Sequence, residues 1–200
     1  MVGVSLWSRI FRPRPRLVTD WLVVGLGNPG EEYAATRHNV GYMALDDLLA
    51  DAGDVLTPHG KALVCPVTWG GQKVLLMRSR TYMNHSGQAL AGLDVPAERV
   101  IVLHDELDLP AHQVRLKKGG NENGHNGLKS ITETLGTRDY LRVRIGIGRP
   151  PTGTPVPEHV LGPVDAGAGL DEAIAAAADA ARLLVTEGLA RAQNEIHSRR

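Results

Sequence analysis

Short apolar runs alternate along this chain with stretches in which apolar residues recur at helical spacing. The apolar or alternating runs predict strands at 20–26, 62–67, 73–77, 99–103, 113–117 and 141–148. Helical spacing predicts helices over 40–48, 86–93, 128–135 and about 166–192. Because strands and helices alternate throughout, we predict an α/β fold, a single domain with a mixed, mostly parallel twisted sheet flanked by helices.

The chain divides into an N-terminal arm and one domain. Residues 1–19 interleave four arginines with Pro13 and Pro15, which block a regular helix and favour an extended, flexible arm. We assign no role to the arm, although each of its arginines has the chemistry to contact a phosphate. Residues 20–195 are enough for one domain with its own core.

The composition is that of a globular protein. Apolar residues make up 42% and charged residues 22%, which argues against disorder and against a membrane protein, and we expect no signal peptide. Cys65 is the one cysteine, so no disulfide or thiolate metal cluster forms within the chain, and a cytoplasmic location fits. The net charge is zero, but residues 115–149 carry eight Lys and Arg against three acidic residues, a locally basic half.

A glycine pattern after the first strand raises the possibility of a dinucleotide-dependent oxidoreductase. Gly25, Gly27 and Gly30 match the spacing of the dinucleotide-binding fingerprint. In that fold a helix begins at the glycines, so that its backbone N–H groups contact the pyrophosphate. Here Pro29 lacks an N–H, and the helical spacing of apolar residues does not begin until Val40. We therefore expect no nucleotide cofactor.

One histidine and one aspartate are the first candidates for catalysis. His38 lies in a loop just before the first helix, and Asp105 lies where an apolar strand turns polar. A carboxylate that accepts one imidazole N–H fixes the tautomer and raises the basicity of the other nitrogen. The sequence does not show whether the two side chains meet.

Six motifs, in order, carry a resemblance to a known family. They are 24–30 (VGLGNPG), 33–41 (YAATRHNVG), 81–87 (TYMNHSG), 104–110 (HDELDLP), 124–129 (GHNGLK) and 142–148 (RVRIGIG). Over nearly its whole length after the arm, the chain resembles bacterial peptidyl-tRNA hydrolases. The resemblance implies hydrolysis of the ester between peptide and tRNA, which recycles tRNA from prematurely released peptidyl-tRNA.

The resemblance also implies a role for individual residues. His38 is implied as the general base that activates water, oriented by Asp105. Residues implied to bind the peptide or the ester end are Asn28, Tyr33, Tyr82, Asn84, Asn126 and His125. Lys117 and Arg144 are implied to contact the tRNA, and their charges suit phosphate oxygens. Lys118, Lys129 and Arg142 are more simply interpreted as solvated surface charges.

Two segments of the resemblance need separate comment. The family usually carries a run of glycines where this chain has Asn121, Glu122 and Asn123, which adds bulk and a negative charge near the expected path of the tRNA end. Pairing of Glu122 with Lys118 or Arg115 is one way to neutralise that charge. The stretch at about 152–165 looks like a mobile lid, with hinges at its glycines and prolines.

Further expectations concern metals, partners and alternatives. The acidic and histidine residues at 104–108 and 122 lack the spacing of a metal site, so we expect no metal and no cofactor. The expected partner is peptidyl-tRNA, contacted at its acceptor end and phosphate backbone, and we expect a monomer that does not bind a membrane. The main alternative is a weakly catalytic relative that serves as an RNA-binding or protein-interaction module.

Overall fold

Seven strands form one sheet through the centre of the protein. The computed structural model describes residues 17–199, so the predicted arm lies outside the described residues except for its last three. The strands are β1 (Trp21–Gly25), β2 (Thr57–His59), β3 (Ala62–Trp69), β4 (Gln72–Ser79), β5 (Val100–Glu106), β6 (Val114–Lys118) and β7 (Leu141–Gly146). Their order across the sheet is β2-β3-β4-β1-β5-β7-β6.

The centre of the sheet is parallel and its margins are antiparallel. Strand β1 pairs in parallel with β4 and with β5, and β5 pairs in parallel with β7. Strands β2, β3 and β6 add antiparallel pairings at the two sides. The carboxyl ends of β1, β5 and β7 therefore meet at one edge, where α/β folds place their sites.

Helices cover both faces of the sheet, which confirms the predicted α/β fold. They are α1 (Val40–Ala52), α2 (Asn126–Leu135), α3 (Val156–Leu161), α4 (Ala168–Thr186) and α5 (Leu189–Ser198). Alternate strand residues point to opposite faces. Val23 and Ile101 pack towards α1 and α4, whereas Val24 and Val102 pack towards α2 and a 3₁₀ segment, Met83–Leu90.

The glycines after the first strand allow α1 to lie close against β1. A Cβ on Gly25 would lie 2.6 Å from the carbonyl oxygen of Gly41, and one on Gly27 would lie 2.6 Å from the ring of Tyr42. Real Cβ atoms do not approach other atoms so closely. Packing of the first helix on the sheet thus accounts for the glycine pattern that resembles a dinucleotide fingerprint.

Three predicted elements differ from the structure. Strand β5 continues through His104, Asp105 and Glu106, because these polar residues stay paired with β7. The predicted helix over 86–93 is a 3₁₀ segment that begins earlier, at Met83. The prediction of one continuous final helix is wrong, because Gly188, with φ 81°, separates α4 from α5.

Helix α5 covers the edge of the sheet that β6 forms. The backbone N–H of Leu116 in β6 donates to Nε2 of His197 at 2.9 Å, and its carbonyl accepts from the Gln193 amide at 3.0 Å. Two side chains of α5 thus satisfy backbone groups that an edge strand otherwise leaves unpaired. Within residues 17–199 no helix is both long and apolar enough to cross a membrane.

Candidate active site

A cleft of about 550 Å³ opens where β1 and β5 end. Its base includes residues that follow β1 and the polar end of β5, and its walls come from the Met83–Leu90 segment, the loop before α2, and α3. Of the predicted site residues, the cleft is lined by Asn28, His38, Tyr82, Asn84, Asp105, His125 and Asn126. The structure therefore brings these predicted site residues together in one cleft.

His38, Asp105 and His125 form one hydrogen-bonded cluster in this cleft. Nδ1 of His38 lies 2.9 Å and 3.0 Å from the two carboxylate oxygens of Asp105. Nε2 of His125 lies 2.8 Å from Oδ1 of the same carboxylate. Asp105 is buried, so its charge is shared between two imidazoles with little screening by water.

The hydrogen bonds of His125 determine its tautomer. His125 is the N-cap of α2, and its Nδ1 accepts the backbone N–H groups of Gly127 at 3.1 Å and Leu128 at 3.3 Å. An acceptor nitrogen carries no proton, so the proton of neutral His125 lies on Nε2 and is donated to Asp105.

The same reasoning leaves a basic nitrogen on His38. An ionised carboxylate only accepts hydrogen bonds, so Nδ1 of His38 carries the proton that faces Asp105 and Nε2 keeps a free lone pair. Burial lowers the pKa of His38, but the charge and hydrogen bond of Asp105 outweigh burial and raise it above 6.5. Burial raises the pKa of Asp105, yet His125 and His38 outweigh burial and hold it well below its usual range.

Asn28 is held so that its amide nitrogen is available to the cleft. Its Oδ1 accepts the backbone N–H of Met83 at 2.7 Å. Its own backbone is clamped by the Asn39 side chain, which accepts from its N–H at 2.8 Å and donates to its carbonyl at 2.9 Å. The amide oxygen is occupied, so the Nδ2 donors remain for a ligand.

The aromatic and amide side chains on the rim are more exposed. Asn84 and Tyr82 lie at the start of the Met83–Leu90 segment, and Asn126 is the first residue of α2. Tyr33 does not line the cleft; its ring meets Tyr82 edge-on with centroids 6.3 Å apart. Tyr33 thus supports Tyr82 from outside.

Lys117 and Arg144 lie outside the cleft, on the neighbouring strands β6 and β7. Burial, with the charges of Arg144 and Arg142, lowers the pKa of Lys117, and burial is also the main cause that lowers the pKa of Arg144. Glu106, which lines the cleft, is close enough to interact electrostatically with both. A pair of partly buried cations therefore lies beside Glu106, an acidic residue of the cleft.

The family model of peptidyl-tRNA hydrolases matches residues 22–200. The chain belongs to the peptidyl-tRNA hydrolase family. Peptidyl-tRNA hydrolase 2 of Corynebacterium glutamicum is 59% identical over 210 residues and covers 100% of both chains. Peptidyl-tRNA hydrolase of Nocardia farcinica is 50% identical over 184 residues, 88% of this chain and 95% of the relative. The crystal structure of the Acinetobacter baumannii enzyme superposes with a TM-score of 0.81 at 37% identity, over 88% of this chain and 94% of that chain.

Within this family fold, the loop that departs from the glycine pattern is held by arginines. The predicted pairing of Glu122 with Lys118 or Arg115 is wrong. The buried carboxylate of Glu122 pairs instead with Arg138, at 2.8 Å and 3.2 Å, because the loop turns towards the end of α2. Arg142 is not a surface charge; it is buried and donates to the carbonyls of Gly120 and Asn121 at 2.7 Å each.

Asparagine substitutes for glycine at one of the two positions in that loop. Asn123 has φ 48°, in the left-handed region that asparagine tolerates better than most residues, whereas Asn121 does not have positive φ. Asn123 also donates weakly to Asp108, at 3.5 Å, and Asp108 pairs with Arg149 at the cleft. Asn123 thus adopts a backbone conformation that glycine favours.

Helix α3 closes one side of the cleft with apolar side chains, including the exposed Val156 and Leu161. Its far end is tied to the loop before α1, because Arg37 donates to the carbonyl of His159 at 3.1 Å and pairs with Asp165 at 3.6 Å. The mobile lid over about 152–165 stays a prediction.

Several residues of the site were not predicted as such. The sequence does not indicate that Asn39 and Met83 orient Asn28, and it indicates His104 only as a candidate metal ligand. Burial, helped by the neighbouring His125, lowers the pKa of His104 to about 3. Its Nδ1 donates to the carbonyl of Asp105 at 2.7 Å, and its Nε2 has no hydrogen-bond partner among residues 17–199. The spacing of apolar residues along the chain does not indicate these side-chain contacts.

The three central side chains are close enough for a shared cation, since their ligand atoms lie within 4.8 Å of one another. Nε2 of His125 carries a proton, however, because its Nδ1 accepts two backbone amides. A protonated imidazole nitrogen has no lone pair for a metal. The cluster as hydrogen-bonded suits proton transfer better than metal binding.

Proposed function

We propose that this protein hydrolyses the ester bond between a peptide and the 3′ end of tRNA, with His38 as general base. The observation that carries the proposal is the His38–Asp105–His125 cluster, which leaves Nε2 of His38 as a base in a cleft. Family membership supports the substrate, because the relatives are peptidyl-tRNA hydrolases.

The proton transfers follow from the positions of the hydrogen atoms. Nε2 of His38 takes a proton from a water molecule as the water oxygen attacks the ester carbonyl carbon. Asp105 stabilises the imidazolium that forms, and the imidazolium returns the proton to the departing ribose oxygen. The products are a peptide carboxylate and a tRNA with a free terminal hydroxyl.

The amide side chains of the cleft are proposed to hold the substrate. The Nδ2 group of Asn28 donates to no residue within 17–199 and suits a peptide carbonyl, and Asn84 suits another peptide group or the water. Asn126 at the N-terminus of α2 suits the oxyanion, where the helix dipole also favours negative charge. Tyr82 offers a flat apolar surface beside them, supported by Tyr33.

We propose that Lys117 and Arg144 bind phosphate oxygens of the tRNA. They lie on adjacent strands beside the cleft, and contacts to phosphate do not depend on base identity, as an enzyme for many tRNAs requires. The proposal also includes action as a monomer, without a metal, in the cytoplasm where peptidyl-tRNA arises. The buried alanine stripe of α4 supports a monomer, since that stripe packs within the chain.

The test measures release of free tRNA from N-acetylated aminoacyl-tRNA. The wild-type protein is compared with His38→Ala and with His59→Ala, a histidine on β2 that does not line the cleft. We expect EDTA-resistant turnover that is lost only in His38→Ala. Binding of the substrate without turnover by the wild type would instead identify an RNA-binding module, and loss in EDTA would overturn metal independence.

A further inference from the structure

Two arginines hold the loop of residues 119–125, which carries His125 into the cleft. On one side, Arg142 is buried, lies over the ring of Tyr140 at 4.6 Å and donates to two loop carbonyls. On the other side, Arg138 donates two hydrogen bonds to the carboxylate of Glu122. One arginine thus binds the main chain of the loop, and the other binds its one charged side chain.

Besides these two arginines, the side-chain hydrogen bonds of the loop among residues 17–199 are the weak one of Asn123 to Asp108 and those of His125. Residues 119–125 include no aliphatic or aromatic hydrophobic side chain, and Gly119, Gly120, Asn123 and Gly124 all have positive φ. Glycine-rich backbone has many accessible conformations, so ordering it needs specific contacts. The side-chain hydrogen bonds from Arg138 are the main cause that lowers the pKa of Glu122 to about 2, so the carboxylate is charged at neutral pH.

A short path joins this ion pair to the catalytic cluster. The backbone carbonyl of Glu122 accepts the backbone N–H of His125 at 2.8 Å. The imidazole of His125 in turn donates to Asp105 at 2.8 Å, and Asp105 orients His38. A displacement of Glu122 therefore moves His125 relative to the carboxylate that His38 depends on.

We propose that the Glu122–Arg138 ion pair is a positioning device for hydrolysis, which holds His125 against Asp105. The inference rests on the proposed function, since it concerns the same cluster. Arg138 lies outside the cleft and acts through Glu122, which lines the cleft and whose carboxylate is engaged by Arg138. In this chain the ion pair stabilises the loop conformation that places His125 against Asp105, which in turn orients His38.

Steady-state kinetics of Arg138→Gln and Glu122→Gln, singly and together, test the proposal. Displacement of the catalytic groups lowers kcat by about tenfold or more, with KM nearly unchanged. The double variant loses no more than either single variant, because both remove the same interaction. Arg138→Lys keeps the charge and recovers part of kcat. Without the His125 hydrogen bond, Asp105 is more basic, so the rise of kcat/KM with pH moves to higher pH.

Arg191→Gln is the matched control, since it removes an arginine of α5 that pairs with Glu187, away from the cleft. Thermal unfolding checks that each variant is folded at the assay temperature. If the kcat of Arg138→Gln equals that of Arg191→Gln, the positioning proposal is wrong even though the enzyme is active.

Amide hydrogen exchange gives a readout that does not need activity. We expect exchange of the His125 amide to be faster in Arg138→Gln than in the wild type, because that N–H donates to Glu122. Unchanged exchange would overturn the proposal. An inactive wild type that still shows the faster exchange would overturn only the proposed function.

Discussion

Asp105→Asn tests the proton arrangement of the cluster most directly. The substitution keeps the shape of the side chain but replaces one acceptor oxygen with an amide donor. Nε2 of His125 must keep its proton, because Nδ1 accepts the amides of Gly127 and Leu128. The oxygen of the new amide therefore faces His125, and its NH₂ group faces Nδ1 of His38.

This geometry favours the wrong tautomer on His38, because Nδ1 lies 2.9 Å from the position of the new NH₂ group, slightly closer than the 3.0 Å to the amide oxygen. Nδ1 becomes the acceptor and the proton moves to Nε2, the nitrogen that is needed as the base. General-base catalysis is worth about 10²–10⁴ in rate, which corresponds to about 2.7–5.4 kcal/mol of transition-state stabilisation. We expect kcat to fall by an amount in this range with KM little changed, because the substrate-binding side chains stay in place.

The assay is single-turnover hydrolysis of N-acetylated aminoacyl-tRNA, with Asp46→Asn as the matched control. Asp46 pairs with Arg78 and does not line the cleft, so its substitution should leave the rate unchanged. His38→Ala combined with Asp105→Asn should be no slower than His38→Ala alone, since the aspartate acts through the histidine. A rate for Asp105→Asn within about tenfold of wild type would refute the assigned tautomers.

Further predictions concern pH, salt and packing. The logarithm of kcat/KM should rise with pH and level off above the raised pKa of His38, that is above 6.5; a plateau reached below 6.5 would contradict the effect of Asp105. Lys117→Ala and Arg144→Ala should each raise KM, leave kcat unchanged and lower the slope of log binding constant against log salt concentration by about one. An unchanged slope would show that these residues do not contact the tRNA. Gly27→Ala should lower the free energy of unfolding by about 1–3 kcal/mol in urea titrations, because its Cβ would lie 2.6 Å from Tyr42; an unchanged midpoint would argue against the close packing of α1.

The fold was readable from the sequence where periodicity is strong. Strands such as β3 and β4 appear as apolar runs around a glycine turn, and α/β alternation indicated a layered sheet. The break between α4 and α5 was missed although Gly188 marks it, because an alanine-rich stretch continues the helical pattern on both sides. The helix propensity of the alanine-rich stretch thus predicts one helix across Gly188, whereas in the structure this glycine ends the helical conformation.

The site was only partly readable. His38 and Asp105 were predicted as partners from a loop and a strand end, and the structure places them in contact. The burial of Arg142 and the pairing of Glu122 with Arg138 were not predictable, because charged residues usually lie in solvent. Those contacts depend on how the loop of residues 119–125 folds over the end of α2. The spacing of apolar residues along the chain carries no information about that conformation.

The last helix has a consequence for the protein during synthesis. Until α5 is complete, the N–H and carbonyl of Leu116 have neither His197 nor Gln193 as partners, so β6 offers an open template to any other extended chain. We therefore expect α5 to protect the edge strand β6 from pairing with another chain. A chain truncated at Gly188 should populate soluble oligomers and aggregates even if its catalytic cleft is intact.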